Sequence, residues 1–190
     1  MVIKKNKCNL ERGRMLKKML ALLLISFTLM GNTSRESIIN KTLGFEGTKL
    51  YNNSKRGIEL STLKRYNKLK GTNWKLESLS HNQAVEILKE LYWGDRLNYI
   101  KSDWIKWAVF DFQMNTSTSK AYQLMHKAVG LKPQSTLSLE LVGELNRLSP
   151  KEAVNKICDI RLEYLRSLSS WKKHKIGWSK RVEQIRNNKI

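Results

Sequence analysis

Apolar residues recur at helical spacing along most of this chain, and the breaks between them set the elements. Ile38, Ile39, Thr42 and Leu43 form one helical face, predicting a helix from about Arg35–Ser37 to Phe45. The next stretch, Gly47 to Leu60, is turn-rich around Tyr51-Asn52-Asn53-Ser54-Lys55-Arg56-Gly57 and reads as a small distorted hairpin or irregular loop. Ser61 or Thr62 then caps a basic helix to about Leu69, with Leu63, Tyr66 and Leu69 on one face. Ser80 and Gln83 have capping-box spacing and open a helix through Trp93, with Ala84, Ile87, Leu88 and Leu91 inside. Ser102 caps the run Asp103 to Asn115, which is apolar nearly all round and so belongs at the centre of the fold.

Further helices follow over Lys120–Val129, after the connector and N-cap Thr116–Ser119, and over about Leu137–Leu148. Ser149-Pro150-Lys151-Glu152 combines an N-cap, a first-turn proline and a capping-box glutamate, starting a helix that should reach about Leu168. After Ser169–Lys175 a last helix holds Trp178, Val182 and Ile185. The expected fold is mainly α, with about seven short helices and a small irregular β-hairpin after the first core helix. A helix ending in Glu, then a hairpin, then helices only, is the layout of lysozyme-like folds.

At 190 residues the chain suits one domain with a real core. The N-terminus is different in kind. Residues 1–35 hold eight Lys and Arg against one acid, +7 of the net +20. There Lys17 and Lys18 precede an uncharged, mostly apolar run from Met19 to Thr33. A basic flank before roughly a dozen apolar residues has the shape of a secretory signal and is short for a membrane span. Residues 1–33 are therefore expected to be a signal or membrane-anchor segment, and 34–190 the functional domain. Export to the periplasm or cell wall, or anchoring through residues 19–33, follows.

The remaining charge, +13, predicts attraction to a polyanion: nucleic acid, an anionic membrane surface or anionic wall polymers. Cys8 and Cys158 lie on opposite sides of the apolar run, so no disulfide is expected, and Cys158 has the spacing of a buried helix position. His81, His126 and His174 have no metal-ligand spacing. Cysteine nucleophiles, zinc centres and cofactors are therefore not anticipated.

Candidate chemistry centres on Leu43-Gly44-Phe45-Glu46-Gly47. Glu46 falls at a helix C-terminus beside Phe45, where partial negative charge and an aromatic neighbour should favour a protonated carboxyl. Such an acid is what glycosidic cleavage requires, because the leaving oxygen must receive a proton. A solvated Glu at a helix end is the plain alternative.

Several segments in order resemble glycoside hydrolase family 108, the bacterial and phage N-acetylmuramidases also called secretion activator proteins. Phe45-Glu46-Gly47 resembles the family's Glu-Gly-Gly, Gly57-Ile58 its Gly-Ile-Thr strand, and Ala108 to Asn115 its Ala…Phe-Asp…Asn helix. Arg161…Tyr164 and Gly177-Trp178…Arg181-Val182 resemble its closing motifs. Thr48 replaces the second Gly, Glu59 replaces the Thr, and the Asp- and Gly-rich stretch before Gly57 is shortened. Ser117 or a neighbour stands for the Gly after the helix Asn, and an Asp-Gly turn is missing around Lys132-Pro133-Gln134.

The resemblance implies a lysozyme-like endolysin cleaving the β-1,4 bond between N-acetylmuramic acid and N-acetylglucosamine in peptidoglycan, with Glu46 as general acid. Glu59, the only acid in the thirty residues after Glu46, is the candidate base or electrostatic partner. Tyr51, Asn115 and Asp111 are candidate substrate contacts. The alternatives are core packing for Tyr51, helix capping for Asn115, and satisfaction of Arg or backbone groups for Asp111. Trp178 and Arg181 read as structural closure of the last helix. Two other classes remain: an inactive wall-binding protein of the same fold, and a basic nucleic-acid-binding protein suggested by Lys64–Lys70 and Trp171–Lys175. The export signal argues against the latter, and no nucleic acid is expected as partner.

Overall fold

A computed structural model describes residues 15, 17, 18 and 34–187. Cys8 and the apolar run 19–33 lie outside the described residues. The chain divides by contacts into Met1–Ser37 and Ile38–Ile190. In the first unit the described residues are helical. Among the described residues no helix is long and apolar enough to cross a membrane.

The second unit begins with helical residues 38–43 (α1), where Ile38, Ile39 and Leu43 are buried. A two-stranded antiparallel sheet follows, β1 Ser54–Lys55 and β2 Ile58–Glu59, with Ser54 opposite Glu59 and Lys55 opposite Ile58. The hairpin is tight because its turns demand positive φ. Arg56 and Gly57 adopt φ 53° and 71° between the strands, and Asn52 and Asn53 adopt 45° and 57° just before them. Consecutive left-handed residues of this kind match the right-handed twist of paired strands. Tyr51 and Ser54 close the first turn through reciprocal backbone bonds of 2.9 Å.

Helix α2 spans Leu60–Lys70 and ends on Gly71 at φ 66°. It starts directly from β2, with Glu59 at the N-cap position and no side-chain cap, so neither Ser61 nor Thr62 is the cap. Leu63 and Tyr66 are buried, but Leu69 is exposed, one turn beyond the core. Helix α3 (His81–Tyr92) has the full Ser80–Gln83 capping box. A 3₁₀ turn at Asp95–Tyr99, which the sequence pattern does not announce, buries Leu97.

Helix α4 (Asp103–Met114) is the axis of the fold, with nine of its twelve residues buried. It packs against α3 and three later helices: α5 (Thr118–Ala128), α7 (Pro150–Ser167) and α8 (Trp171–Asn187). Helix α6 (Leu139–Arg147), N-capped by Ser138, covers the 3₁₀ turn and α7. Ser117 caps α5, and α7 carries the capping box at Ser149 and Glu152. Cys158 is buried in α7, where desolvation pushes its thiol up to about 12. The last helix starts at Trp171, so Trp171–Lys175 is not a loop. The fold is mainly helical and lysozyme-like, with one small sheet among the described residues, as the element order predicts.

Candidate active site

Glu46 stands three residues beyond the end of α1. The chain tightens there: Gly44 N donates to Asn40 O, Phe45 N to Thr42 O and Glu46 N to Leu43 O, at 2.9, 3.2 and 3.0 Å. This winding lifts the Glu46 side chain off the helix and turns it toward the hairpin. Gly57 meets it there. A β-carbon at Gly57 would lie 2.7 Å from Glu46 Cγ, 3.0 Å from Cδ and 3.3 Å from Oε2. The close approach restricts this position to glycine, and the positive φ adds strain to any other residue there.

The surroundings of Glu46 are not the apolar, water-excluding pocket that its neighbour Phe45 suggests. Arg181 Nη1, from α8, donates to Glu46 Oε1 at 2.6 Å. The same guanidinium donates through Nε to both oxygens of Asp111 at 3.1 Å and through Nη2 to Asp111 Oδ1 at 2.7 Å. Arg161 Nη1, from α7, completes the cluster at 2.7 Å from Asp111 Oδ2. Phe45 serves as a platform instead: the Arg181 guanidinium lies 4.7 Å over its ring, and Trp107 stacks parallel to that ring at 6.1 Å.

Asp111 is completely buried. Burial alone would raise its pKa, but the Arg161 and Arg181 charges beside it overcome that cost and hold the carboxyl below the usual carboxylate range. Its carboxylate therefore presents no face to a ligand, which corrects its place among the substrate contacts. It positions Arg181, and through it Glu46. Arg181, read from sequence as closure of the last helix, belongs to the site. An Asp within a buried apolar helix was the available signal, because such a charge requires cationic partners.

Glu46 lines a groove of about 630 Å³ between the hairpin, α2, the end of α3 and the α4–α5 connection. Glu59 and Asn115 line the same groove, and Glu59 is exposed, with Ser61 Oγ 3.4 Å from its Oε2. Tyr51 is not in that lining; it is 74% exposed at the hairpin's first turn. Asn115 ends α4, donating its side-chain amide to Asp111 O at 2.8 Å, so it caps the helix while facing the groove. The groove's back wall is fixed by Gln113, which donates to Tyr92 O at 2.7 Å and accepts a bond from the Tyr122 hydroxyl. Burial pushes that phenol up to about 12.

The hairpin and the end of the central helix thus line one groove with Glu46 in its wall, within a lysozyme-like fold. Residues 42–116 match the family described as Glycosyl hydrolase 108, a stretch running from the end of α1 to just past α4. The sequence likeness is thus to a glycoside hydrolase, at the level of family. Glu46, Tyr51, Glu59, Asp111 and Asn115 all fall inside the matched stretch, while Arg161, Trp178 and Arg181 lie beyond it. Among solved structures, that of Brucella abortus SagA is similar, with a TM-score of 0.66, 20% identity, and coverage of 82% of this chain and 92% of that one. At that identity the likeness is one of fold. No curated protein matches this sequence.

Proposed function

We propose that this protein is a peptidoglycan hydrolase of the muramidase type, cleaving the β-1,4 bond between N-acetylmuramic acid and N-acetylglucosamine with Glu46 as general acid. The observation that carries this reading is the fixed placement of Glu46 at the edge of a groove that also holds Glu59. Arg181 holds Glu46 Oε1, which leaves Oε2, the oxygen nearest Gly57, as the one to give a proton to the leaving oxygen as positive charge builds on the sugar carbon. Glu59 stabilises that charge or accepts the proton of the attacking water. Asn115, at the groove's helical edge, suits an acetamido group.

The basic surface supplies a second element of the proposal, retention on anionic wall polymers or a membrane surface after export, with residues 19–33 as the exporting or anchoring segment. The test is digestion of purified peptidoglycan by the full chain, wild type beside Glu46→Gln, with released muropeptides identified by mass. Reducing muramic ends from wild type, reduced about 10²–10⁴-fold in the variant, are expected. Anhydro ends would instead make it a lytic transglycosylase. No products from folded wild-type protein would overturn the enzyme reading and leave wall binding.

A further inference from the structure

The outer side of α8 carries a surface that neither the groove nor the buried ion pairs use. Ile176 stands on it, 79% exposed, more than any other large apolar residue among those described. Lys172 and Lys173 lie four and three residues before it and Lys180 four after it, so three exposed lysines neighbour it on the helix surface. From Tyr164 to Val182 the chain has no acid, while Arg166, Lys172, Lys173, Lys175 and Lys180 are all exposed cations. Glu183, the next acid along, is taken up by Arg186 at 3.2 Å.

Helix stability does not account for this arrangement. The first turn of α8 has no acid, and cations there oppose the helix dipole. Trp171 and Trp178 border the same turns as half-buried rings with centroids 6.2 Å apart. A soluble polyanion would meet the lysines and leave Ile176 in water. A bilayer interface takes both: ammonium groups reach the phosphates, their alkyl stems and the apolar side chain enter the acyl boundary, and tryptophan rings suit the headgroup level.

We propose that the first three turns of α8 dock on an anionic phospholipid surface, with Ile176 inserted among Lys172, Lys173 and Lys180. This deepens the retention part of the proposed function, selecting the membrane over wall polymers, and does not depend on which bond the groove cleaves.

The test is co-sedimentation of the full chain with vesicles of phosphatidylglycerol and phosphatidylcholine in equal parts, and with phosphatidylcholine alone. Residues 19–33 are common to every variant, so each is read relative to wild type. Lys172→Gln with Lys173→Gln should weaken binding to the anionic vesicles about 20-fold, at roughly fivefold per lysine. Lys132→Gln with Lys151→Gln, an equal loss of charge elsewhere, should have a much smaller effect. Ile176→Gln should weaken vesicle binding about fivefold or more and leave retention on heparin unchanged. A bimane on Ile176→Cys, in a Cys8→Ser background with Cys158 buried, should shift to the blue on anionic vesicles.

Vesicle binding that Ile176→Gln leaves intact would overturn the lipid surface, as would a bimane emission that stays put while the protein sediments. Equal losses on vesicles and heparin from the lysine pair, with none from Ile176→Gln, would make the face a site for soluble polyanions instead. Muropeptide release from lipid-free peptidoglycan should be the same in every variant, so failure of the muramidase reading and failure of this one appear in different assays.

Discussion

Gly57 and Glu46 constrain each other through a contact that only a missing side chain permits. Gly57→Ala places a β-carbon 2.7 Å from Glu46 Cγ on a backbone at φ 71°. Such strain costs about 1–3 kcal/mol, and the displaced carboxyl loses its aim. Thermal denaturation should show the first loss, and peptidoglycan turnover a larger one. Arg181 is constrained as tightly by a fork of bonds to two carboxylates. Arg181→Lys keeps the charge but loses the fork, so it should destabilise the fold and lower turnover even though net charge is unchanged. Removing the cation with Arg181→Met leaves Asp111 short of a partner in the interior and should cost about 3–5 kcal/mol in urea unfolding. The placement of Glu46 just past a helix end was legible from sequence, since a glutamate beside an aromatic and two glycines is a local pattern. Arg181 was not, because its partner Glu46 is 135 positions away and nothing near Arg181 marks the pairing.

At the scale of elements, caps were what the sequence expressed best. Ser80, Ser102 and Ser149 each accept a bond from the backbone N–H three residues on, as their spacing predicts. Ser149→Ala removes one member of the α7 capping box and should lower stability by about 1 kcal/mol, measurable as a shift in urea midpoint with unchanged slope. The start of α8 was harder to see. Lys172, Lys173 and Lys175 crowd its first turns, where cations oppose the helix dipole and the pattern suggests a loop. Tertiary packing settles it: Val182 and Ile185 are buried further along, and α8 lies against α7 and α4. Helix α2 shows the converse error. Its serine and threonine suggested a cap, but β2 runs straight into the helix, leaving no residue free to perform that role.

The molecule carries two opposed charge arrangements, a net basic composition and, among the described residues, a buried cluster around Asp111. The buried one predicts acid sensitivity. Asp111 in the folded protein titrates below its unfolded value of about 3.9, so its contribution is complete above that pH and is lost as pH falls toward the lower, folded value. Thermal midpoints should therefore decline steeply below about pH 4, and Asp111→Asn should flatten that decline while lowering the midpoint at neutral pH. The net charge predicts salt dependence. On the proposed function, retention on isolated walls should weaken between about 0.05 and 0.5 M salt, as screening lengths shorten.

The Arg181 fork also sets an order of events for a chain made from its N-terminus. A ribosome delivers Glu46 and its hairpin early, but the guanidinium that orients the carboxyl arrives only after another 135 residues. Until α8 docks, the glutamate is present without its aim. On the proposed function, a chain ended before α8 would hold Glu46 without the cation that orients it and is expected to lack turnover.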